Sequence, residues 1–556
     1  MRTLHLSLVL ASFATASLAR AEEPTEPVKE AVALAPESAP LAPGAAAAPA
    51  TPATPATPLR VALLGGDNPS EAASSPKGES WNAWVWARAR AAQVSPFVLD
   101  RNGYANPLEN TVQTRLRLGG AYAPIESLSV TLEGDMLAGQ AAGDRTDLGS
   151  QAGRIDDPLR EGAAFEPFPG ELRQAYVSWR TPVGEIRGGR MSFRWGLGMI
   201  ANDGRGEPDF GDRRRGDLID RLVFATKPFT TISSDSWAQT TVFLGVDSIA
   251  RDENADRSRG DEATQAIGGF RWEGDRASLG GLVAFRGQTD RIEAGERDRR
   301  ATLHAMLTDV TGKWIAWRGD EGARFTLEGE VATVRGRTTR TLFEATRADG
   351  ATIETAGAVA RGTLEMPSWW LTARGEVGHA TGDRDPYDAT VRTFSFDPDY
   401  KVGLLLFDPV VRRVLARAVD RAADPELVRV PQAGLRFLDT QGSVTNATYG
   451  NLVVRVRPGG GFDVRAGFLV ARTPEGILDP YESAANGGYG VDGNGRPAGP
   501  AGLGKELDGA VRYTLPIEGV TARLLVDGAV LFPGASLFVT GESAITLARA
   551  GFDVAW

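Results

Sequence analysis

The side chains of this sequence that could do chemistry are arginines and carboxylates that recur at alternate positions of apolar segments. The arginines in this phase are Arg115, Arg117, Arg180, Arg271, Arg286, Arg361, Arg374, Arg455, Arg457, Arg465, Arg512, Arg523 and Arg549. The carboxylates in the same phase are Glu133, Asp135, Glu328, Glu330, Glu376, Asp463, Asp508, Asp527 and Asp553. A guanidinium is a planar fork of donors that fits carboxylate and phosphate groups. An excess of arginine therefore predicts a surface that binds or passes anions.

The same charges allow a second interpretation, in which they only hold a protein wall together. Opposite charges on neighbouring strands form cross-strand pairs that stabilise a sheet. Under this interpretation the arginines are neutralised and a passing solute does not meet them. Both interpretations stay open at this point.

Composition excludes several kinds of site. The 556 residues contain no cysteine and three histidines, of which His5 lies in a predicted leader. This excludes a disulfide framework, a thiolate zinc site and a zinc site of three histidines. The formal net charge of −10 argues against nucleic acid as a partner. Neither a Gly-x-Ser-x-Gly elbow nor a phosphate-binding loop accompanies His304 or His379. We therefore predict no enzyme, no cofactor and no metal ion.

The segments that carry the charges have the period of two that is typical of β-strands. In the last segment, Phe552, Val554 and Trp556 share one face. Arg549 and Asp553 share the other face. No apolar run long enough for a membrane-spanning helix follows residue 20. Apolar faces and charged faces that alternate along the whole chain predict an all-β transmembrane barrel with lipid outside and water inside.

Connections between the predicted strands fall into two alternating classes. The short ones are 124–126, 181–184, 273–275, 319–322, 366–368, 458–461 and 516–519. The long polar ones are 138–171, 194–218, 249–263, 289–300, 338–351, 382–445, 473–505 and 532–541. Outer-membrane barrels have short periplasmic turns and long extracellular loops. The pattern predicts a single-chain antiparallel barrel of about 18 strands, with about 16 as the lower limit and both ends in the periplasm.

Aromatic residues cluster beside the predicted short turns. They are Trp179, Trp272, Trp317, Trp369, Trp370, Phe462, Tyr513 and Trp556. Since amphipathic rings prefer the headgroup layer, the set predicts a periplasmic girdle, with core aromatics of a soluble sheet as the alternative. Phe552, Val554 and Trp556 resemble the terminal signal that the barrel-assembly machinery reads on outer-membrane proteins. The resemblance implies this machinery, outer-membrane lipid and lipopolysaccharide as partners, and a homo-oligomer stays open.

The N-terminal residues have the composition of targeting and spacing segments. A positive start, an apolar run and Ala19-Arg20-Ala21 predict a signal peptide over residues 1–21. Residues 22–80 are rich in proline and alanine, which predicts a disordered periplasmic linker, with a tether to the cell wall as the alternative. Residues 81–556 then form the barrel. Together these features predict the outer membrane of a Gram-negative bacterium.

Three segments resemble known barrel proteins. Residues 174–179 with 189–196 look like the hairpin "AYV … GRxxFxxG" of large Gram-negative porins. Leu531 to Ala535 is similar to the "FxPG" end of alginate-export-type barrels. Residues 396–400 with 404–407 resemble a long-loop segment of an uncharacterised porin-like family of myxobacteria. The resemblance implies an outer-membrane channel and carries no assigned substrate.

The hairpin of the first resemblance departs from strict alternation. Parity around Gly188 and Gly189 places Arg187 and Arg190 on opposite faces. Only a β-bulge in this hairpin would return the two side chains to one face.

The longest loop, 382–445, contains a predicted helix. Asp408 is expected to cap it and Pro409 to occupy its first turn. An 18-stranded lumen is wide enough to admit such a segment. The loop therefore either folds inward as a constriction or plug, or covers the barrel rim as a lid. Acidic loop stretches such as 252–256 could bind Ca²⁺, although solvated charge is the simpler interpretation.

Two functions from different classes follow from these patterns. The first is an outer-membrane channel for small polar or anionic solutes, including the export or uptake of saccharides. The second is a non-conducting structural barrel that is plugged by loop 382–445 and anchors the cell envelope. Ion conductance across a lipid bilayer separates the two.

Overall fold

The structure is a computed structural model that describes residues 79–149, 170–213, 216–230, 236–294, 297–341, 350–386, 388–429, 431–438, 441–488, 490–537 and 544–556. The predicted signal peptide (1–21) lies outside these ranges, as does the predicted linker up to residue 78. Both therefore remain predictions.

Nineteen strands run through the described residues. They are β1 (Ser80–Val94), β2 (Asn110–Ile125), β3 (Leu128–Gly143), β4 (Glu171–Thr181), β5 (Gly184–Met191), β6 (Leu218–Thr226), β7 (Thr241–Arg251), β8 (Glu262–Glu273), β9 (Ala277–Ala294), β10 (Arg297–Arg318), β11 (Arg324–Thr338), β12 (Ala351–Met366), β13 (Leu371–Ala380), β14 (Thr390–Val391), β15 (Ala447–Gly459), β16 (Phe462–Arg472), β17 (Gly502–Ile517), β18 (Val520–Pro533) and β19 (Ile545–Ala555). The two-residue β14 pairs parallel to β12, whereas every other pairing is antiparallel.

Closure turns these strands into a barrel. β1 pairs with β2 on one side and with β19 on the other, from Trp86 opposite Ala555 to Val94 opposite Leu547. Without β14, the closed sheet has 18 strands, which confirms the predicted fold class and strand number. A closed sheet leaves no backbone donors or acceptors on an edge, which is the condition for strands to cross hydrocarbon.

The described parts of the loops contain two α-helices. They are α1 (Arg412–Ala423) and α2 (Pro480–Ala485). Single 3₁₀ turns occur at Ser236–Gln239, Arg257–Arg259, Asp320–Gly322, Pro367–Trp369 and Ala433–Phe437, and a wider π-type turn at Leu406–Val411 leads into α1. None of the helices in the described ranges is both long and apolar enough to cross a membrane.

The predicted cap of α1 is wrong. Asp408 lies before the helix in the π-type turn, with an extended backbone (φ −133°, ψ 102°). Its carboxylate accepts hydrogen bonds from Lys401 at 3.0 Å and from Arg412 at 3.4 Å. Asp408 therefore joins the turn to its surroundings and does not satisfy the first amides of the helix.

The connections keep the predicted alternation with two exceptions. Residues 227–240 form a longer connection on the side of the short turns. The predicted long loop 289–300 is wrong, because β9 and β10 stay paired up to Ala294 opposite Arg297. Polar side chains do not prevent strand pairing beyond the membrane, so composition alone misplaced the end of this hairpin.

The outer face of the barrel is apolar, and its exposed tryptophans gather at one end. The exposed apolar side chains include Leu244, Val331 and Leu507 at mid-strand. Trp369 and Trp556 are about two-thirds exposed at the short-turn end, as the side chains of a headgroup girdle would be in an isolated barrel. Pairing through β5 is continuous, so no bulge intervenes there. Arg187 is consequently buried beside Glu185, and Arg190 faces outward.

The lumen is filled in part by two long connections. Met199 and Phe210 from connection 192–217 pack with Phe396 and Leu405 from connection 381–446. Inward-facing wall residues complete this core, among them Tyr449, whose ring lies edge-on to Phe396. The predicted loop 382–445 therefore folds inward and packs against the barrel wall.

Candidate functional site

Six inward-facing arginines line one side of the lumen, and we call them the arginine array. They are Arg88 on β1, Arg374 on β13, Arg465 on β16, Arg512 on β17, Arg523 on β18 and Arg549 on β19. The strands are neighbours in the closed sheet apart from β15, which lies between β13 and β16. Alternation along each strand points these side chains inward because the apolar residues between them face outward.

An acidic segment of connection 192–217 lies against the array. Glu207 pairs with Arg512 and with Arg523, the latter at 3.1 Å. Arg465 donates to the carbonyl of Asp209 at 3.0 Å, and the Asp209 carboxylate pairs with Arg374.

Asp212 completes the acidic segment. Its carboxylate bridges Arg88, at 3.1 Å, and Arg549. Glu207, Asp209 and Asp212 together contact all six arginines of the array, which originate from six strands.

Carboxylates of the wall itself hold other arginines. Asp135 accepts two hydrogen bonds from Arg117, at 2.6 and 2.9 Å, and lies 3.7 Å from Arg115. Asp463 accepts from Arg455 and Arg465. Such two-point pairs match the cross-strand neutralisation that the second interpretation expects.

Four further carboxylates of the wall also accept hydrogen bonds from neighbouring side chains. Glu376 accepts from Arg361 at 2.7 Å and from the hydroxyl groups of Tyr400 and Tyr449. Asp527 accepts from Arg549 at 2.8 Å, and Asp553 accepts from Arg90 at 2.8 Å. Glu133 accepts from the Trp84 indole at 2.9 Å.

Four of the predicted arginines lie outside these groups. Arg180 lies 3.9 Å from Glu185, Arg271 pairs with Glu273 at 2.9 Å, and Arg286 pairs with Asp252 at 2.5 Å. Arg457 lies 3.9 Å from Asp463 near the short-turn end. The structure thus gathers most of the predicted arginines on one side of the lumen and leaves Arg180, Arg271 and Arg286 on the other strands.

Sequence reasoning missed the acidic segment and several wall arginines, among them Arg88 and Arg90. Arg88 and Arg90 alternate with alanines in β1, and this pattern could have placed them on the inner face. Glu207, Asp209 and Asp212 lie in a connection without regular periodicity. No local signal indicates that these carboxylates point to the wall.

The inward fold of connection 381–446 is anchored by one carboxylate. Glu506 on β17 is fully buried and accepts hydrogen bonds from three successive backbone amides, those of Leu404, Leu405 and Leu406. The three distances are 2.6, 2.7 and 2.7 Å. A Cβ atom at Gly403 would lie 2.9 Å from this carboxylate, which explains why the close approach uses glycine. We call this arrangement the Glu506 anchor.

A second acidic group lies near the long-loop end and belongs to three connections. Asp217, Glu253 and Asp397 hold carboxylate oxygens within 4.8 Å of one another, and we call them the acidic cluster. Burial raises the pKa of Asp217 well above its usual range, and the nearby Asp397 and Glu253 add to this effect. Burial and the neighbouring Asp252 raise the pKa of Glu253 to about 7. Burial and mutual repulsion therefore favour the protonated form of this cluster, and a neighbouring cation would favour its charged form.

Glu253→Gln is expected to stabilise the folded barrel near pH 8 and to leave its stability unchanged near pH 4. The folded-state pKa of about 7 lies above the unfolded value, so folding favours the protonated carboxyl. Stability is thus fully present below the unfolded pKa and is lost as the pH rises through about 7. Thermal unfolding by circular dichroism, with exposed Glu426→Gln as the control, should show a gain of a few degrees at the higher pH only. An equal gain at both pH values would contradict this.

The two histidines of the described residues lie on the outer face. His304 and His379 are exposed, and Nδ1 of His379 lies 2.8 Å from the Thr448 hydroxyl. At the chain end, Phe552 and Trp556 are exposed and Val554 is half-buried. The C-terminal aromatic residues thus lie on the outer wall.

No family model and no curated protein sequence matches this chain. Among solved structures, it is similar to OccAB1 of Acinetobacter baumannii, with 10% identity, coverage of 86% of this chain and 96% of that chain, and a TM-score of 0.48. It is similar to OccK2 (OpdF) of Pseudomonas aeruginosa in complex with glucuronate, with 10% identity, coverage of 85% and 97%, and a TM-score of 0.45. It is also similar to OpdK of Pseudomonas aeruginosa with vanillate, with 10% identity, coverage of 85% and 99%, and a TM-score of 0.45. The barrel fold rests on the strand pairing and not on these likenesses, and the resemblances to alginate-export-type and myxobacterial barrels remain predictions.

Proposed function

We propose that this protein is an outer-membrane channel of a Gram-negative bacterium that passes small polar or anionic solutes. The observation that carries the proposal is the acidic segment seated on the arginine array. Its three carboxylates occupy guanidinium groups that a carboxylate or phosphate solute would also recognise.

Such a solute would pass by replacing the carboxylates of the acidic segment on the arginines of the array. A buried guanidinium that loses its partner carries a large desolvation penalty. A solute carboxylate that replaces Glu207, Asp209 or Asp212 keeps the guanidinium paired throughout. Saccharides are the more specific solutes of the proposal. Their hydroxyl groups would form hydrogen bonds with the same rows of charged side chains.

The proposal includes the membrane in which the protein lies and the partners that it meets there. The apolar outer wall suits outer-membrane lipid and lipopolysaccharide, and the C-terminal residues suit recognition by the barrel-assembly machinery. The predicted signal peptide would deliver the chain across the inner membrane. A homo-oligomer would use part of the same apolar wall. Neither an enzymatic activity nor a cofactor is part of the proposal.

The variant Glu207→Gln/Asp209→Asn/Asp212→Asn is expected to shift the channel several-fold toward chloride over potassium. Neutralising the acidic segment leaves the positive charge of the array exposed to permeating ions, and rings of one sign dominate selectivity where a pore is narrow. Reversal potentials in planar bilayers under a salt gradient measure the effect.

Exposed carboxylates supply the matched control for this prediction. The variant Asp385→Asn/Glu426→Gln/Glu518→Gln removes as many charges from exposed positions. It should leave the reversal potential near that of the wild type. A control that shifts as far as the test variant, or a test variant that stays unchanged, would contradict an anion path along the array.

The second candidate is a non-conducting structural barrel plugged by loop 382–445. The observation that favours it is the apolar core inside the lumen, in which Leu405, Leu406 and Phe396 are fully buried. This function predicts no conductance steps from the wild type, and steps only from variants that release the inward segment.

A further inference from the structure

A chamber of about 420 Å³ lies in the lumen, away from the arginine array. Its wall is formed by β6 and by β8 to β12 towards their long-loop ends. The volume lies in the range of sites for small organic ligands. The inward-folded connections form the other side of the chamber, with Phe193, Ala201 and Phe394 among their contributions.

The barrel side of this chamber is mostly apolar, although it faces the lumen. Its apolar inward residues include Ile219, Ile267, Leu282, Ala284, Leu303, Leu307, Val334 and Ile353, and its polar ones are Gln265, Arg286, Thr338 and Thr355. Ile219, Ile267, Leu282 and Ala284 are buried at 3 to 5% exposure. A water-filled passage has no need of such a surface, whereas an apolar ligand gains free energy by covering it.

The other side of the chamber is acidic. Five carboxylates line it, those of Asp217, Asp252, Glu253, Asp383 and Asp397, against two guanidinium groups. Both guanidinium groups are already paired, Arg286 with Asp252 and Arg340 with Asp290. The chamber therefore has an excess of carboxyl groups over guanidinium groups at its polar end.

The buried carboxylate of Asp217 lies at this polar end. Its side chain is only 6% exposed, and its carboxylate faces those of Glu253 and Asp397. Among the residues that the structure describes, none donates a hydrogen bond to the Asp217 carboxylate or forms an ion pair with it. A buried carboxylate in this state is stabilised by any cation that reaches it.

We propose that the chamber binds an organic cation, that is, an amine or guanidinium group on an apolar body. The cationic group would sit at the acidic cluster and donate to Asp217 and its neighbours. The body would cover the wall formed by Leu282, Ala284 and Ile353. This ligand class differs from the anions proposed for the array, and no arginine of the array lines the chamber.

The raised pKa values of the cluster agree with this assignment. Burial raises the pKa of Asp397, and repulsion from Asp399 and Glu253 raises it further. A bound cation would relieve this repulsion. A small inorganic cation would satisfy the charge but would leave the apolar wall uncovered. An anion of the same shape would add to the repulsion.

Titration calorimetry of the purified full chain in detergent tests the proposal with three soluble probes. 2-Phenylethylamine has the body and the cationic group, 3-phenylpropionate has a similar body with an anionic group, and ethylamine has the cationic group alone. We expect 2-phenylethylamine to bind, and both other probes to bind at least about tenfold more weakly.

Two variants probe the two ends of the chamber. Asp217→Asn should weaken the binding of 2-phenylethylamine about tenfold or more. Ala284→Leu, which fills space at the apolar wall, should weaken this binding as well. Asp256→Asn is the matched control, because Asp256 belongs to the acidic stretch 252–256 that also carries Glu253 and lies outside the chamber lining. Heat-modifiable migration on gels shows whether each variant is folded.

The outcomes separate this inference from the proposed channel. Equal or tighter binding of 3-phenylpropionate, or unchanged affinity in folded Asp217→Asn, would overturn the inference. Binding of Ca²⁺ without binding of 2-phenylethylamine would assign the cluster to a metal ion and would also overturn it. None of these results changes the expected anion selectivity of the arginine array, which reversal potentials measure separately.

Discussion

Deleting Phe552–Trp556 is expected to abolish assembly of the barrel in the membrane. The deleted residues pair with both neighbouring strands, for example Ala555 with Trp86 of β1 and with Thr521 of β18. Trp556 also exchanges two backbone hydrogen bonds with Val85. Without them the sheet cannot close at this end, and each unsatisfied backbone group in hydrocarbon costs several kcal/mol.

Membrane fractionation and heat-modifiable migration measure this effect. The truncated chain should be recovered as degraded or aggregated material in the periplasm. Normal amounts of truncated chain, folded and located in the outer membrane, would contradict the role given to β19.

Point substitutions in the same strand should give graded effects. Trp556→Lys lies at the barrel end, where a charge costs least, so it should affect assembly more than stability. Val554→Arg lies deeper and should cost up to roughly 2–4 kcal/mol if the charge reaches the midplane. A larger loss of stability from Trp556→Lys than from Val554→Arg would show that this strand crosses the membrane differently.

Glu506→Ala is expected to raise the conductance of the channel several-fold. The substitution removes the acceptor of the three amides of Leu404, Leu405 and Leu406 in a fully buried position. Each buried donor left unsatisfied costs about 1–3 kcal/mol. The inward position of connection 381–446 should therefore lose several kcal/mol relative to a displaced one.

Single-channel recording in planar bilayers measures the release of this segment. Glu506→Gln keeps one acceptor and should give an intermediate conductance, and exposed Glu518→Gln at the end of the next turn should match the wild type. Unchanged conductance in folded Glu506→Ala would mean that the anchor does not control the lumen. A silent wild type with a conducting Glu506→Ala would support the plugged structural barrel, and silence of both proteins would contradict the channel.

The alternation of charged and apolar residues along each strand determined which side chains face the lumen and which face outward. Each strand that alternates a charged residue with an apolar one, such as β19 with Arg549 and Phe552, has its two faces assigned by a period of two. Strand number followed because short turns and long loops alternate, and a closed sheet is the only way for such strands to cross hydrocarbon. These features depend on neighbours in the sequence and were therefore predictable.

Tertiary structure decided what lies inside the wall. Asp212 and Arg549 are 337 residues apart, and no periodicity in connection 192–217 relates them. The Glu506 anchor likewise joins β17 to backbone amides about a hundred residues earlier. Irregular connections acquire their places only when the closed barrel offers them partners, because a buried carboxylate or amide must find one. The acidic segment, the anchor and the chamber are therefore properties of the folded barrel, whereas the strands that carry them are properties of the sequence.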